Sequence, residues 1–267
     1  MTIEAWLKRS IDMLQAADVS TARLDCLVLL EDILNTNRTQ ILAQPERILT
    51  EVERQILDEL IANRANHTPL AYLRKKSEFY GRAFYIDERV LEPRPESETM
   101  IDLLLKLKPK APKIADVGSG SGALGITAKH ELPNSHVTLL EIDADALAVS
   151  QKNAQQHKVD VQVLQSDLLK ATDEHFDLLL CNLPYVPESF HINTAATHEP
   201  RLAIFGGLDG LDLYLKLFEQ VNKRKSKPSY ILTESLPTQH HQLATLARKH
   251  GYTLEKTDDF IQLFIQT

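Results

Sequence analysis

The sequence predicts an α/β protein: a mostly parallel sheet of seven strands ending in an antiparallel hairpin, preceded by a small helical bundle. Three observations carry this. From Lys113 onward, short apolar or β-branched runs alternate with stretches of helical period, the pattern of a sheet covered on both faces. The last two runs, 252–255 and 260–265, are joined by a polar link too short for a parallel crossover, so they pair antiparallel. The first third has no glycine before Gly81 and reads as helix throughout.

Taken in order, Ile3, Leu7, Ile11 and Leu14 share one helical face, and Trp6 belongs to the same core. Leu24, Leu27, Val28, Leu30, Ile33 and Leu34 form a second apolar set behind a cap region at Ser20 and Thr21. Ile48, Val52, Ile56, Leu60 and Ile61 form a third, with Thr50 and Glu53 at capping-box spacing near its start. Three or four short helices over residues 1–75 pack as a bundle. Residues 76–95 form a linker, in which Phe79, Tyr80, Phe84, Tyr85, Ile86 and Val90 around Gly81 predict a hairpin. Pro93 and Pro95 break helix on both sides of Arg94, and an amphipathic helix follows Pro95 as far as Leu107. The second domain is 96–267. Its strands are expected at 113–117, 136–141, 159–164, 176–181 and 230–234, then the hairpin; its helices at 124–132, 143–156, 211–221 and 238–250.

Composition narrows the class. The chain has 267 residues, 43% of them hydrophobic, ample to bury a core. A net charge of -7 argues against a mainly electrostatic grip on nucleic acid. Cys26 and Cys181 are far apart, which fits a reducing compartment and no disulfide framework or zinc cluster. No metal site is expected. The first ten residues carry Glu4, Lys8 and Arg9, with no signal-like apolar core, and no run approaches the ~18 apolar residues of a membrane span. The expectation is a cytoplasmic, monomeric protein.

Asp116-Val117-Gly118-Ser119-Gly120-Ser121-Gly122 sits between a strand and a helix, where glycines let the backbone turn sharply and approach a ligand at a helix N-terminus. Gly120-x-Gly122-x-x-Gly125 also matches the dinucleotide fingerprint, so a nicotinamide oxidoreductase is an alternative. Asp116 separates the two: a carboxylate here would repel a pyrophosphate but suits the ammonium and sulfonium of S-adenosylmethionine. Glu141 ends the next strand, about 20 residues on, where an acid accepts hydrogen bonds from ribose hydroxyls. Asp143 is more a helix cap than a ligand. Asp167 is a candidate acceptor for an adenine amine, with Leu168 against the ring; the competing reading makes Asp167 the cap of a short helix near 168–171.

Asn182-Leu183-Pro184-Tyr185 follows an apolar strand, at the carboxyl end of the sheet. An amide or aromatic amine is a poor nucleophile because its lone pair is delocalised. Acceptors that bind both N–H hydrogens can turn that lone pair toward a methyl donor. The Asn182 side-chain oxygen and the Leu183 carbonyl are those acceptors; Pro184 stiffens the loop, and Tyr185 offers an aromatic face. These features predict a methyltransferase acting on a planar nitrogen. A terminal antiparallel hairpin on a mostly parallel sheet agrees with the Rossmann-like class I methyltransferases.

The motif set resembles the PrmC/HemK family, protein-glutamine methyltransferases that modify the glutamine of the Gly-Gly-Gln loop in peptide-chain release factors. Arg23-Leu24-Asp25 with Leu29-Leu30 looks like the family's helical N-terminal domain, and Pro69-x-x-Tyr72 with Glu78-Phe79-Tyr80-Gly81 like its linker. Pro93-Arg94-Pro95-Glu96-Ser97-Glu98 resembles a family signature that has threonine in place of Ser97. Glu199-Pro200 and Gly206-Gly207-Leu208-Asp209-Gly210-Leu211 resemble the segment after the catalytic loop. The resemblance implies that Gly118 to Gly122, Glu141 and Leu168 contact S-adenosylmethionine. It also implies that Asn182 to Tyr185 hold the substrate glutamine, and that the N-terminal bundle docks the release factor. Leu183 departs from the family's Asn-Pro-Pro-Tyr, and Thr233-Glu234-Ser235 from its usual glutamate followed by an isoleucine-glycine-type pair. Asn-Leu-Pro-Tyr is also typical of rRNA adenine dimethyltransferases. Methylation of an adenine or guanine amine in RNA or DNA is therefore the second reading, with Lys223-Arg224-Lys225 and Lys227 as its basic patch.

Overall fold

The structure, a computed structural model, describes residues 1–192 and 194–267. It divides into two compact units, Met1–Lys76 with Asn193–His198, and Ser77–Ile192 with Glu199–Thr267.

The first unit is helical: α1 (Ile3–Ala16), α2 (Ala22–Leu34), α3 (Arg38–Ala43), α4 (Glu51–Ala65) and α5 (Leu70–Arg74). The predicted capping box opens α4. The Thr50 hydroxyl accepts the Glu53 amide at 3.2 Å, and the Glu53 carboxylate accepts the Thr50 amide at 2.7 Å. Trp6 is fully buried, and its indole N–H donates to Asp58 at 2.9 Å. Two expectations need correction. Val52 and Ile56 are 65% and 42% exposed, because two i,i+4 rows run side by side on α4 and the core takes Leu57 and Ile61. Leu24 lies on the outside of α2, while its neighbour Asp25 is buried, accepting from Arg64 at 2.7 Å and from the Thr21 hydroxyl at 2.9 Å.

The second unit begins with a hairpin, β1 (Ser77–Phe79) and β2 (Arg82–Phe84), turned by Tyr80 and Gly81 with φ of 51° and 69°. The hairpin is shorter than predicted. Beyond Phe84 the side chain of Asn153 takes both the N–H and the C=O of Tyr85, at 2.8 and 2.9 Å, so these groups are not free for a ladder. A 3₁₀ turn at Pro95–Ser97 leads into α6 (Glu98–Lys106).

The main sheet uses β3 (Lys113–Val117), β4 (His136–Glu141), β5 (Gln162–Gln165), β6 (Leu178–Cys181), β7 (Tyr230–Glu234), β8 (Tyr252–Asp258) and β9 (Ile261–Gln266). Its order is β5-β4-β3-β6-β7-β9-β8, parallel from β3 through β7, with β9 inserted antiparallel between β7 and β8. The helices are α7 (Ala123–Glu131), α8 (Ala144–His157), α9 (Arg201–Ile204), α10 (Asp212–Lys223) and α11 (His240–Lys249). Alternate residues of β6 serve opposite cores. Leu178 and Leu180 join the core that includes α6 and α7; Leu179 and Cys181 join the one that includes α10 and α11. Among the described residues no helix is long and apolar enough to cross a membrane.

Register positions the site. Val117 pairs with Leu140 on one side and Cys181 on the other, Glu141 pairs with Gln165, and Cys181 pairs with Thr233. The residues at the carboxyl ends, Asp167, Glu141, Gly118, Asn182 and Glu234, therefore follow one another along a single sheet edge. Strand order reverses between β3 and β6, the point at which open α/β sheets bind ligands.

Candidate active site

Three glycines of the loop after β3 have positive φ, 73° at Gly118, 52° at Gly120 and 79° at Gly122. Gly118 also has a packing reason. A Cβ there would lie 2.9 Å from the Leu183 side chain, so the glycine loop and the loop after β6 touch. A cavity opens over this edge, walled by Gly118, Ser119, Gly120 and Ser121, by Glu141, and by Asn182 to Pro184. Asp167 and Leu168 join the wall, Leu168 with φ 57°.

Asp116 and Gly122, also expected to contact the ligand, do not line that cavity. Asp116 is fully buried behind the loop, where its carboxylate accepts the Gly125 amide at 2.8 Å. This bond pins the start of α7. That bond occupies the amide of the third fingerprint glycine, and a Cβ at Gly125 would lie 2.3 Å from Leu139, so this glycine serves helix–strand packing. Burial, reinforced by the charge of Glu141 and opposed by the Gly125 bond, pushes the Asp116 carboxyl up to about 7. The unfolded chain releases this proton near 3.8, so its contribution to stability is full below about pH 4 and lost as pH rises to about 7. Asp116→Asn should remove a decline of about 3 kcal/mol between pH 5 and pH 8. Urea titrations at the two pH values check this, and an unchanged pH slope in the variant would sink the assignment.

Glu141 holds the loop as well as facing the cavity. One oxygen accepts the Gly120 amide at 2.9 Å; the other accepts the Ile142 and Asp143 amides at 2.8 and 3.0 Å. Asp143 caps α8 as expected, accepting from the Asp145 and Ala146 amides. Asp167 caps no helix. Its two oxygens take Lys170 and Lys216, each at 2.7 Å, and these ammonium groups hold its carboxyl below the usual range. The turn after it is made by Ser166, whose hydroxyl donates to the Leu168 carbonyl and accepts the Ala171 amide. The Ser119 hydroxyl, on the wall, is buried and has no partner among the described residues. Open glycine backbone, an orphaned hydroxyl, an acid at the next strand end and apolar Leu168 fit a nucleoside carrying a polar tail.

Around Asn182 the structure shows a chain of polar groups that reading the sequence alone missed. The Asn182 amide donates to the Ser97 hydroxyl at 3.0 Å; Ser97 donates to Glu234 at 2.5 Å; the Tyr185 hydroxyl donates to the other Glu234 oxygen at 3.1 Å. Burial pushes the Glu234 carboxyl up, against the pull of Ser97, Tyr185 and Asn182. Tyr185 is tied down by this bond and does not line the cavity. The signal for Glu234 was its position at the end of the strand beside β6. The N–H that Leu183 brings points to the Tyr214 hydroxyl at 3.4 Å, and the Leu183 side chain is buried.

The remaining motifs support this loop. Arg94 donates to buried Glu199 at 2.5 Å, joining two of the signature segments. Gly206 and Gly210 lie against the backbone of the loop after β6: Cβ atoms there would sit 2.2 Å from the Pro184 carbonyl oxygen and 2.0 Å from that of Tyr185. Gln239 clamps the same place, donating to the carbonyls of Tyr185 at 2.8 Å and Asp209 at 2.7 Å. Cys181 is a free, buried thiol whose pKa burial pushes up, a small hydrophobe as expected. The basic run is partly consumed by structure. Arg224 donates to the carbonyls of Thr172 and Glu174, and Lys227 to Asn222 and the His250 carbonyl.

Comparison with known proteins places this geometry. Residues 5–74 match the PrmC N-terminal domain, and residues 97–199 match the methyltransferase small domain. The chain is 36% identical to a release factor glutamine methyltransferase of Koribacter versatilis, over 88% of this chain and 86% of the relative. It is 31% identical to the release factor glutamine methyltransferase of Deinococcus radiodurans, over 97% and 95%. Among solved structures, a T. thermophilus 16S rRNA methyltransferase in complex with AdoMet and guanosine shares the fold. Its TM-score is 0.55 at 19% identity, covering 72% of this chain and 49% of that one.

Proposed function

The chain belongs to the release factor glutamine methyltransferase family and is an S-adenosylmethionine-dependent methyltransferase, and from that premise we propose how it methylates the glutamine of a peptide-chain release factor. The target is the side-chain amide nitrogen in the Gly-Gly-Gln loop. The observation that carries this reading is the polarity of Asn182. Asn182 lines the cavity and its NH₂ end donates to Ser97, which leaves its Oδ1 to act as an acceptor.

S-adenosylmethionine, when bound, supplies an electrophilic methyl group and a sulfur leaving group. The residues that would hold it are Gly118 to Ser121, Glu141, Asp167 and Leu168. Asn182 Oδ1 and the Leu183 carbonyl accept the two N–H hydrogens of the glutamine amide and turn its lone pair toward the methyl. Held in this way, the nitrogen would receive the methyl that the cofactor supplies, with the sulfur as leaving group, and the extra proton would then pass from the nitrogen to solvent. No strong base is required, and the main contribution is orientation, worth roughly 7–11 kcal/mol in favourable cases. Pro184 removes a competing donor, and the buried Leu183 does for the loop by packing what a second proline would do by ring closure. The N-terminal helical unit is proposed to dock the release factor. Methylation of a nucleic-acid amine is less favoured, since the net charge is -7 and half of the basic run is bonded internally.

The test is tandem mass spectrometry of a bacterial release factor incubated with the protein and deuterated-methyl S-adenosylmethionine. A labelled methyl on the loop glutamine is expected. No label, with cofactor binding shown separately by calorimetry, would move the substrate to an RNA amine.

A further inference from the structure

An asparagine side chain has two ends of nearly equal size, so packing alone does not choose which one faces a cavity. In this site the choice decides activity, because only the oxygen end can accept an N–H from the substrate. Something buried must break the symmetry.

Glu234 has the means. It is 1% exposed, at the end of β7, and the β6–β7 register places it beside Asn182. Its backbone is anchored from α10 by the Tyr214 hydroxyl, 2.5 Å from the Glu234 carbonyl. As a carboxylate it only accepts, taking Ser97 at 2.5 Å on Oε2 and Tyr185 at 3.1 Å on Oε1. Ser97 has one proton. With that proton given to Glu234, Ser97 can only accept from Asn182, and Asn182 must turn its NH₂ toward Ser97, as the 3.0 Å bond shows. The oxygen end is then the one left for the cavity.

We propose that Ser97 and Glu234 are positioning residues: a two-step relay from β7 through the turn before α6 that fixes the Asn182 amide with its oxygen toward the substrate nitrogen. The relay rests on the reading of Asn182 as the amide-holding residue. It explains why the signature segment carries a hydroxyl residue at position 97, and assigns a task to the glutamate that ends β7. The neighbours Thr233 and Ser235 take no part: each hydroxyl is buried and without a partner among the described residues.

The test combines two readouts on the full chain. With ¹⁵N-asparagine labelling, the Asn182 side-chain amide should show slow hydrogen exchange, lost in Ser97→Ala and in Glu234→Gln, whose amide can donate as well as accept. Side-chain amide signals at Asn182 that exchange alike in all three proteins would overturn the relay, whatever the substrate. In methyl transfer to a release factor, each variant should lose kcat by about 10- to 50-fold. KM and the calorimetric Kd for S-adenosylmethionine should stay within about twofold, since an orientation is lost and not a binding surface. Ser97→Thr, which keeps the hydroxyl, should recover most of what Ser97→Ala loses. The double variant should be no worse than the worse single one, as two members of one relay require. Additive losses, or a fall in stability that accounts for the lost activity, would overturn it. An unsubstituted protein that shows the protected amide but transfers nothing to the release factor would sink the release-factor reading and leave the relay standing.

Discussion

Asn182→Ala should reduce methyl transfer by about 10²- to 10³-fold, the range seen when one preorganised hydrogen-bonding group is removed from a reacting centre. The loss should fall on kcat. On the proposed reading the glycine loop and Glu141 would hold the cofactor through groups that the substitution does not touch, so the Kd for S-adenosylmethionine should change by no more than about threefold. Asn182→Asp is the sharper probe. It keeps an oxygen toward the cavity yet has no N–H for Ser97, whose one proton is already on Glu234. It also sets a second carboxylate beside a buried one. The aspartate variant should therefore be nearly as inactive as alanine, with transfer that recovers partly at low pH as one carboxyl takes a proton. Quantitative radiolabel assays with calorimetry check both. An Asn182→Ala protein that retains full kcat would remove Asn182 from the chemistry altogether.

The dependence on Ser97 and Glu234 marks where reading the sequence stops. What is local was legible. The strands at Lys113–Val117, His136–Glu141 and Tyr230–Glu234 follow from apolar runs between turn signals, the Thr50–Glu53 box from its three-residue spacing, and the Asp143 cap from an aspartate just ahead of a helical run. The tetrapeptide Asn182–Tyr185 stands out because it follows an apolar strand. Three things were not legible. Glu234 reaches Ser97 across 137 residues, a contact fixed by strand order and register. The place of Asp116 before the glycines suggests a ligand, whereas the fold buries its carboxylate against the Gly125 amide. On α4, periodicity identifies an apolar row but not which of two adjacent rows the core selects, so the pattern groups Val52 and Ile56 with the core while the structure leaves them outside. In each case a side chain's environment is a tertiary fact that no spacing along the chain encodes.

The same argument gives the other large effect, at a residue that touches no reacting atom. Gly210→Ala should cost about 10²-fold in kcat. At φ 81° the residue already favours glycine, and an added Cβ would lie 2.0 Å from the Tyr185 carbonyl oxygen and 2.4 Å from Gln239 Nε2. Neither neighbour can retreat cheaply. The Tyr185 carbonyl is backbone, and Gln239 is held by its bonds to that carbonyl and to Asp209. The strain must be released by moving the backbone of the loop after β6, to which Asn182 and Leu183, proposed to hold the substrate amide, belong. A displacement near 1 Å at the reacting centre is enough for a loss of that size. Stability should fall by about 1–3 kcal/mol, as in overpacked sites. Gly81→Ala is the matched control. Its φ is 69°, but nothing lies within 4 Å of the added Cβ, so it carries the conformational cost alone, about 1–2 kcal/mol. If Gly81→Ala and Gly210→Ala lose similar stability while only the latter loses kcat, the loss belongs to loop position. If Gly210→Ala keeps kcat within about twofold of the unsubstituted enzyme, the segment 206–211 does not set the catalytic loop, and the close approach of its glycines is packing alone.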